Sequence, residues 1–264
     1  MCKPTFFAIE YEINPWMDIN NKVDQPKALT QWENLYQTYL SLGVQVELID
    51  QQPGLPDMVF TANAGTVVGD TFISGNFRFK ERKGEEQHFQ AWFQRNGYKV
   101  KQLTHFQGGE GDALFYQNVL YMGYGFRSDP QSHLEIKDFL NIETVSLHLI
   151  DPFYYDFDTA FCPVGKKGVL YYPEAFDTES QKKFQQIENA IPMTRTHAQH
   201  FIGNSVLVGD TLLVSYTDSD LKLKAETLGV QLKVLDMSEF KKAGGGIKCL
   251  TLYLDSEFPL TEPV

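Results

Sequence analysis

The sequence predicts an α/β fold made of five copies of one unit set about a common centre, in a propeller-like ring. Three observations carry this: a motif that recurs about every 46 residues, a hairpin signature inside each copy, and a helical apolar pattern between copies. The stretch Asn63-Ala-Gly-Thr-Val-Val-Gly-Asp-Thr-Phe-Ile-Ser74 is repeated closely as Asn204-Ser-Val-Leu-Val-Gly-Asp-Thr-Leu-Leu-Val-Ser215. The same layout starts at Asp112 and Asp158, and a truncated form starts at Cys249. The leading positions 63, 112, 158, 204 and 249 are separated by 49, 46, 46 and 45 residues.

Inside a copy, a polar lead residue precedes an apolar run, a Gly-Asp pair and a second apolar run. Glycine supplies the positive φ that a tight turn between paired strands needs, so this pattern reads as a hairpin. Helices are predicted between the hairpins. Ala28, Leu29, Trp32, Leu35, Tyr36, Tyr39 and Leu40 recur at helical spacing before Gly43. Phe89, Trp92 and Phe93 do so before Gly97, followed by Leu134, Ile136, Phe139 and Leu140. Phe184, Ile187 and Ile191 form a fourth set, and Leu221, Leu223 and Leu228 a fifth. Alternating segments at 44–48, 98–103 and 230–235 read as strands after their helices.

Of the 264 residues, 42% are hydrophobic and 22% charged, enough for a sizeable core. No Pro/Gly/Ser-rich linker divides the chain, so residues 1–264 are expected to form a single domain. The net charge is −11 and the five arginines are dispersed, which speaks against a nucleic-acid surface and suits a small cationic ligand. Cys2, Cys162 and Cys249 are too few for a disulfide scaffold and lack metal-finger spacing. No run reaches the roughly 18 to 20 apolar residues of a membrane helix, and Met-Cys-Lys-Pro-Thr-Phe-Phe does not read as a signal segment. The expectation is a soluble, cytoplasmic protein with no membrane partner, and a homo-oligomer is left open.

The loops bearing the five lead residues would converge on the axis, bringing Asn63, Asp112, Asp158, Asn204 and Cys249 together with Asp57, Glu110 and Asp156. One thiol among carboxylates and amides is a poor metal or phosphate site. It suits a planar guanidinium, which carboxylates bind through paired charge-assisted hydrogen bonds while the thiolate attacks its central carbon. Each residue also has a plainer reading. Cys249 is a small buried hydrophobe, Gly-Gly-Glu110-Gly-Asp112 a surface turn, Asp57 a turn residue after proline, and Arg82 part of a solvated charge run. The glycines at 244–246 favour the functional reading of Cys249, because they permit close approach of a ligand. His197 and His200, three residues apart, read as surface or core residues more readily than as ligands.

The chain resembles the guanidino-group modifying superfamily of arginine deiminases, dimethylarginine dimethylaminohydrolases and amidinotransferases, and is most similar to arginine dihydrolase-type domains. The resemblance rests on Ile13-Asn-Pro-Trp-Met17, Pro56-Asp-Met-Val-Phe-Thr-Ala-Asn-Ala-Gly65, Lys80-Glu-Arg82, Gly123-Tyr-Gly-Phe-Arg-Ser128, Asp158-Thr-Ala-Phe-Cys-Pro163 and Gly244-Gly-Gly-Ile-Lys-Cys-Leu-Thr251. It implies a five-bladed pseudo-symmetric α/β propeller, the pentein fold, and a cofactor-independent hydrolase. The implied ligand is a free guanidino or ureido amino acid such as arginine, citrulline or a methylarginine.

By the same resemblance Cys249 is the nucleophile and Asn63 touches the guanidinium. Arg82 and Arg127 grip the substrate carboxylate, while Asp57 and Asp112 are acidic positions near the pocket. Two positions depart from the family pattern. Asp156 stands where the family's acid–base histidine precedes Leu-Asp-Thr, and Asp158 would orient it. The only glutamate of the glycine motif is Glu110, two residues before Asp112, where it would share the guanidinium with Asn63. An aspartate ordinarily ionises near pH 3.9, so Asp156 needs a raised pKa to move protons at neutrality. A hydrolase, an amidinotransferase and an amino-acid-binding pseudoenzyme all fit these residues.

Overall fold

The computed structural model describes residues 1–254. The last ten residues of the expected 1–264 domain lie outside the described part. Helix α1 (Gln25–Ser41) is followed by strands β1 (Gly65–Val68) and β2 (Thr71–Ser74), helices α2 (Lys80–Lys83) and α3 (Glu85–Arg95), and β3 (Lys99–Gln102). Next come β4 (Ala113–Tyr116), β5 (Val119–Tyr124), α4 (Pro130–Leu140) and β6 (Glu143–His148). A third group holds β7 (Phe161–Pro163), β8 (Val169–Tyr171), α5 (Thr178–Phe184) and β9 (Ala190–Pro192). After α6 (Arg195–Gln199) come β10 (Val206–Val208), β11 (Thr211–Val214), α7 (Ser219–Thr227), β12 (Gln231–Val234) and α8 (Ser238–Lys241).

The strands form four small sheets of one design: β1-β2-β3, β4-β5-β6, β7-β8-β9 and β10-β11-β12. In each, an antiparallel hairpin is extended by a parallel strand that returns after a helix. The Gly-Asp turns behave as the sequence predicts, with Gly69 at φ +58° and Gly209 at φ +57°. The helices start where short acidic side chains accept from their first turn: Asp24 from Lys27 N for α1, Asp177 from Ser180 N for α5, and Asp218 from Leu221 N for α7.

Three sequence expectations are corrected. The helix expected across 184–191 stops at Phe184, and Ile191 lies in β9, paired parallel with Leu170. Asn189 takes a left-handed φ of +57° in the turn that enters β9, so the apolar spacing there served two elements. Residues 44–48 form no sheet strand, and only Ile49 makes a parallel bridge to Cys2. The truncated fifth copy at Cys249 makes a turn and an extended stretch, with no hairpin among the described residues.

The start and end of the described chain nevertheless meet. Trp32, Leu35 and Tyr39 of α1 pack in one apolar cluster with Phe240, Ile247, Cys249 and Leu250. The five lead segments are also linked in a circle. Asn63 Nδ2 donates to Gly108 O (3.2 Å), Phe157 N to Asp112 Oδ1 (3.0 Å), and Asn204 Nδ2 to Asp158 O (3.3 Å). Cys249 N donates to Asn204 Oδ1 (3.1 Å), and Ala62 N returns to Cys249 O (3.1 Å). The polar lead residues thus stitch each unit to the next and sit together at the centre.

Candidate active site

Four of the five lead residues lie in or beside a short 3-10 turn that ends a loop and starts a hairpin, and Cys249 lies in a turn without one among the described residues. The turns are Thr61–Ala64, Gly109–Gly111, Phe157–Thr159 and Ile202–Asn204. The turn geometry aims the side chain away from the strands and toward the centre. Close approach there needs glycine: a Cβ on Gly111 would lie 2.0 Å from Asn63 Nδ2.

Cys249 is buried, and its Sγ lies 3.3 Å from Asp158 Oδ2, with Asn204 Nδ2 donating to it at 3.0 Å. Asp156 joins them: one donor atom each of Asp156, Asp158 and Cys249 lies within 4.8 Å of the others. Three such atoms could hold a cation, metal or organic. Asn63 Nδ2 faces Asp156 Oδ2 at 3.4 Å, and Arg127 Nε lies 3.3 Å from Asp156 Oδ1 without hydrogen-bond alignment. Both of those last atoms are buried without a hydrogen-bond partner. The Arg127 guanidinium lies over the Tyr155 ring, 4.2 Å from its centroid, and the Tyr155 hydroxyl donates to Gly244 O at 2.9 Å. Behind this layer, Asp112 accepts from Ser128 Oγ (2.6 Å) and Phe157 N (3.0 Å).

The cluster buries more acids than bases. Burial pushes Asp156 up from the usual carboxylate range, opposed by the Arg127 and Arg82 charges. Burial and then Asp156 push Asp158 well above it. Asp112 is raised to about 7 by burial and by Asp156. The Cys249 thiol is pushed well above its ordinary value by burial and by the charges of Asp158 and Asp156. Burial thus favours the neutral thiol and the protonated carboxyl groups in this cluster. A cation entering it supplies the missing positive charge and lowers these pKa values together.

Two expectations change in detail, those for Arg82 and Glu110. Arg82 is no solvated charge, nor an open clamp. It is 2% exposed, bonded through Nε (2.8 Å) and Nη2 (2.9 Å) to Glu85, through Nη1 to Asn63 Oδ1 (2.8 Å), and through Nη2 to Asp57 O (3.1 Å). It fixes the amide of Asn63 so that Nδ2 points at Asp156. Glu110 is turned away from the thiol: its Oε2 accepts from Lys248 Nζ at 2.7 Å and Tyr253 N at 3.1 Å. Gly109 at φ +60° sets this turn, and the buried Lys248 ammonium captures the carboxylate. His197 does not reach Cys249, because Asp218 holds its Nε2 at 3.1 Å. His200 stacks on Tyr216 with ring centres 4.0 Å apart. Asp57 is buried beside Arg82, consistent with an acidic position near the pocket.

Asn204 is the thiol's nearest amide. The repeat already placed it among the lead residues, which was the signal for a role. Glu85, Ser128 and Lys248 carried no comparable signal, because their contacts arise from chain segments that the repeat does not align.

A thiol facing paired carboxylates and amides, at the centre of repeated α/β units, defines the class of protein. The sequence model of the eukaryotic N,N dimethylarginine dimethylhydrolase family matches residues 7–254, and the chain belongs to that family. It is 41% identical over 273 residues to the bifunctional arginine dihydrolase/ornithine cyclodeaminase ArgZ of Synechocystis, covering 100% of this chain and 38% of that protein. It is 39% identical over 253 residues to the N(G),N(G)-dimethylarginine dimethylaminohydrolase of Mycobacterium tuberculosis, covering 96% of this chain and 84% of that protein. The crystal structure of the ArgZ N-terminal domain, a cysteine-to-serine variant bound to substrate, superposes with a TM-score of 0.93 at 40% identity, covering 96% of each chain. The chain thus spans little more than a third of the length of the cyanobacterial bifunctional relatives it matches.

Proposed function

We propose that this protein is a cofactor-independent thiol hydrolase of the guanidino or ureido group of a free amino acid, with arginine, citrulline and the methylarginines as candidate substrates. The observation that carries the reading is the seat of Cys249: a buried thiol 3.3 Å from Asp158, beside Asp156 and Asn204, in a chain of this family. We take the four sheets as four blades of one propeller, and the Cys2–Ile49 bridge together with the turn at Cys249 as the fifth. That reading is supported by the circle of hydrogen bonds between the lead segments. We also take the chain as a single domain that works in the cytoplasm, where its three free cysteines stay reduced.

In this reading the substrate guanidinium enters the carboxylate cluster as its missing cation. Asn63 and Asp156 bind its nitrogens, with Asp112 and Asp57 supporting the charge. Arg127, whose guanidinium has no hydrogen-bond acceptor among the described residues, takes the substrate carboxylate. Arg82 positions Asn63, and Glu110 with Lys248 braces the segment before the nucleophile. The Cys249 proton passes to the adjacent Asp158, and Sγ bonds to the guanidino carbon. The aspartate pair then protonates the departing terminal nitrogen as its C–N bond breaks, and ammonia or the methylamine leaves a thiouronium on sulfur that still carries the amino acid. Water adds to that carbon, gives its proton to the pair, and the C–S bond breaks to restore the thiol. Two buried carboxyl groups of raised pKa thus do the work usually given to one histidine.

One feature favours a second reading, that of an amino-acid-binding protein. No histidine lies in the cluster of ligating side chains around Cys249 among the described residues, and Glu110 is committed to Lys248. A product screen separates the two. The protein is incubated with arginine, citrulline and mono- and dimethylarginine, with Cys249→Ala as control. Citrulline or ornithine formed only with the native thiol supports the hydrolase. Thermal stabilisation by a ligand without any product supports the binder.

A further inference from the structure

A cavity of about 590 Å³ is lined by none of the residues clustered around Cys249. Its walls come from five segments distant in sequence, contributing Trp16, Tyr154, Tyr172, Arg195, His200 and Lys241 among others. The volume falls in the range of small-molecule sites, about 300 to 1,000 Å³. Two features make it unlike an ordinary surface dent. Aromatic rings line it from separate elements: Tyr154 and Tyr172 have centroids 4.9 Å apart, and the Trp16 ring meets Phe153 edge-on at 5.5 Å. Trp16 is itself held, its Nε1 donating to Phe153 O at 2.7 Å. The second feature is Lys241. Among the described residues its ammonium has no carboxylate or hydrogen-bond partner. It lies against the rings of Trp16 (5.6 Å) and Phe201 (5.8 Å).

The other charges on these walls form no ion pair with it. Arg195 is paired with Glu174 at 3.2 Å in an exposed contact. Asp151 uses its carboxylate to accept from Phe153 N at 2.9 Å. A half-buried ammonium with no carboxylate in ion-pair reach among the described residues is uncommon on a chain of net charge −11. An anion satisfies it, and flat rings beside it suit an anion that carries a ring of its own.

We propose that this cavity is a binding site for a small aromatic organic anion, with Lys241 and Arg195 on the anionic group and Trp16 on the ring. None of its lining residues is Asn63, Asp156, Asp158 or Cys249, and the proposal does not rest on the function proposed above. The probe is adenosine monophosphate, followed by tryptophan fluorescence and by calorimetry on the native protein. Adenosine lacks the anion and inorganic phosphate lacks the ring. The expected result is saturable binding of the monophosphate, at least tenfold tighter than either fragment, and at least tenfold weaker in Lys241→Met. The Lys241→Met variant retains native turnover, or native arginine binding if there is no turnover. Two results overturn the proposal: no binding of the monophosphate at millimolar concentration, or binding that Lys241→Met and Trp16→Leu leave unchanged.

Discussion

Asp112 titrates near 3.8 in an unfolded chain and at about 7 in the folded one, because it is buried and Asp156 lies beside it. A carboxyl raised on folding contributes stability that is complete below about pH 4 and is lost as the pH rises through 7. The melting temperature of the native protein, measured against Asp112→Asn, should therefore fall between pH 4 and pH 7. A flat difference would contradict the assignment. Binding of a guanidinium reverses this effect, since it favours ionised carboxylates. Calorimetry near pH 6 in two buffers of different ionisation enthalpy should show protons released as arginine binds. Arg82 and Glu85 make the opposite kind of pair: both are buried and both are satisfied. Arg82→Met leaves a buried carboxylate unpaired and should lower the unfolding free energy by about 3–5 kcal/mol in urea titrations. Lys182→Met, which removes the exposed pair with Glu179, should change it by less than about 1 kcal/mol.

The hairpins were legible at the scale of elements because their turn chemistry is local. Gly209 needs φ +57°, and no atom lies within 4 Å of where its Cβ would be, so only backbone strain opposes a side chain there. Gly209→Ala should cost about 1–2 kcal/mol by chemical denaturation. Helix α1 was equally legible, with its apolar stripe, Pro26 near its start and Gly43 as its stop. The misread elements depend on partners. Phe184 ends α5 while Ile191 pairs with Leu170, so one apolar spacing spans two structures. Residues 44–48 alternate like a strand, yet only Ile49 finds a bridge. Nothing in those residues alone states whether a partner edge exists.

The whole molecule places its chemistry at the seam where five repeated segments meet. The repeat named Asn63, Asp112, Asp158, Asn204 and Cys249, and the structure links them in a closed circle. The partners of Arg82 and Glu110 were not legible, because Glu85 and Lys248 meet them through folding and outside the repeat. Closure rests partly on Thr61 Oγ1, which donates to Leu250 O at 3.0 Å next to the nucleophile. Thr61→Val should cost about 1–3 kcal/mol, since it strands a buried carbonyl.

The central claim is that Cys249 attacks a guanidino carbon with carboxyl groups in place of a histidine. Intact-protein mass spectrometry after acid quenching, on native protein and Asp156→Asn mixed with arginine, tests it most directly. The account predicts an adduct on Cys249 in the native protein, formed about 10²- to 10⁴-fold more slowly in Asp156→Asn. The absence of any adduct or product, with arginine still raising the native melting temperature, would contradict it.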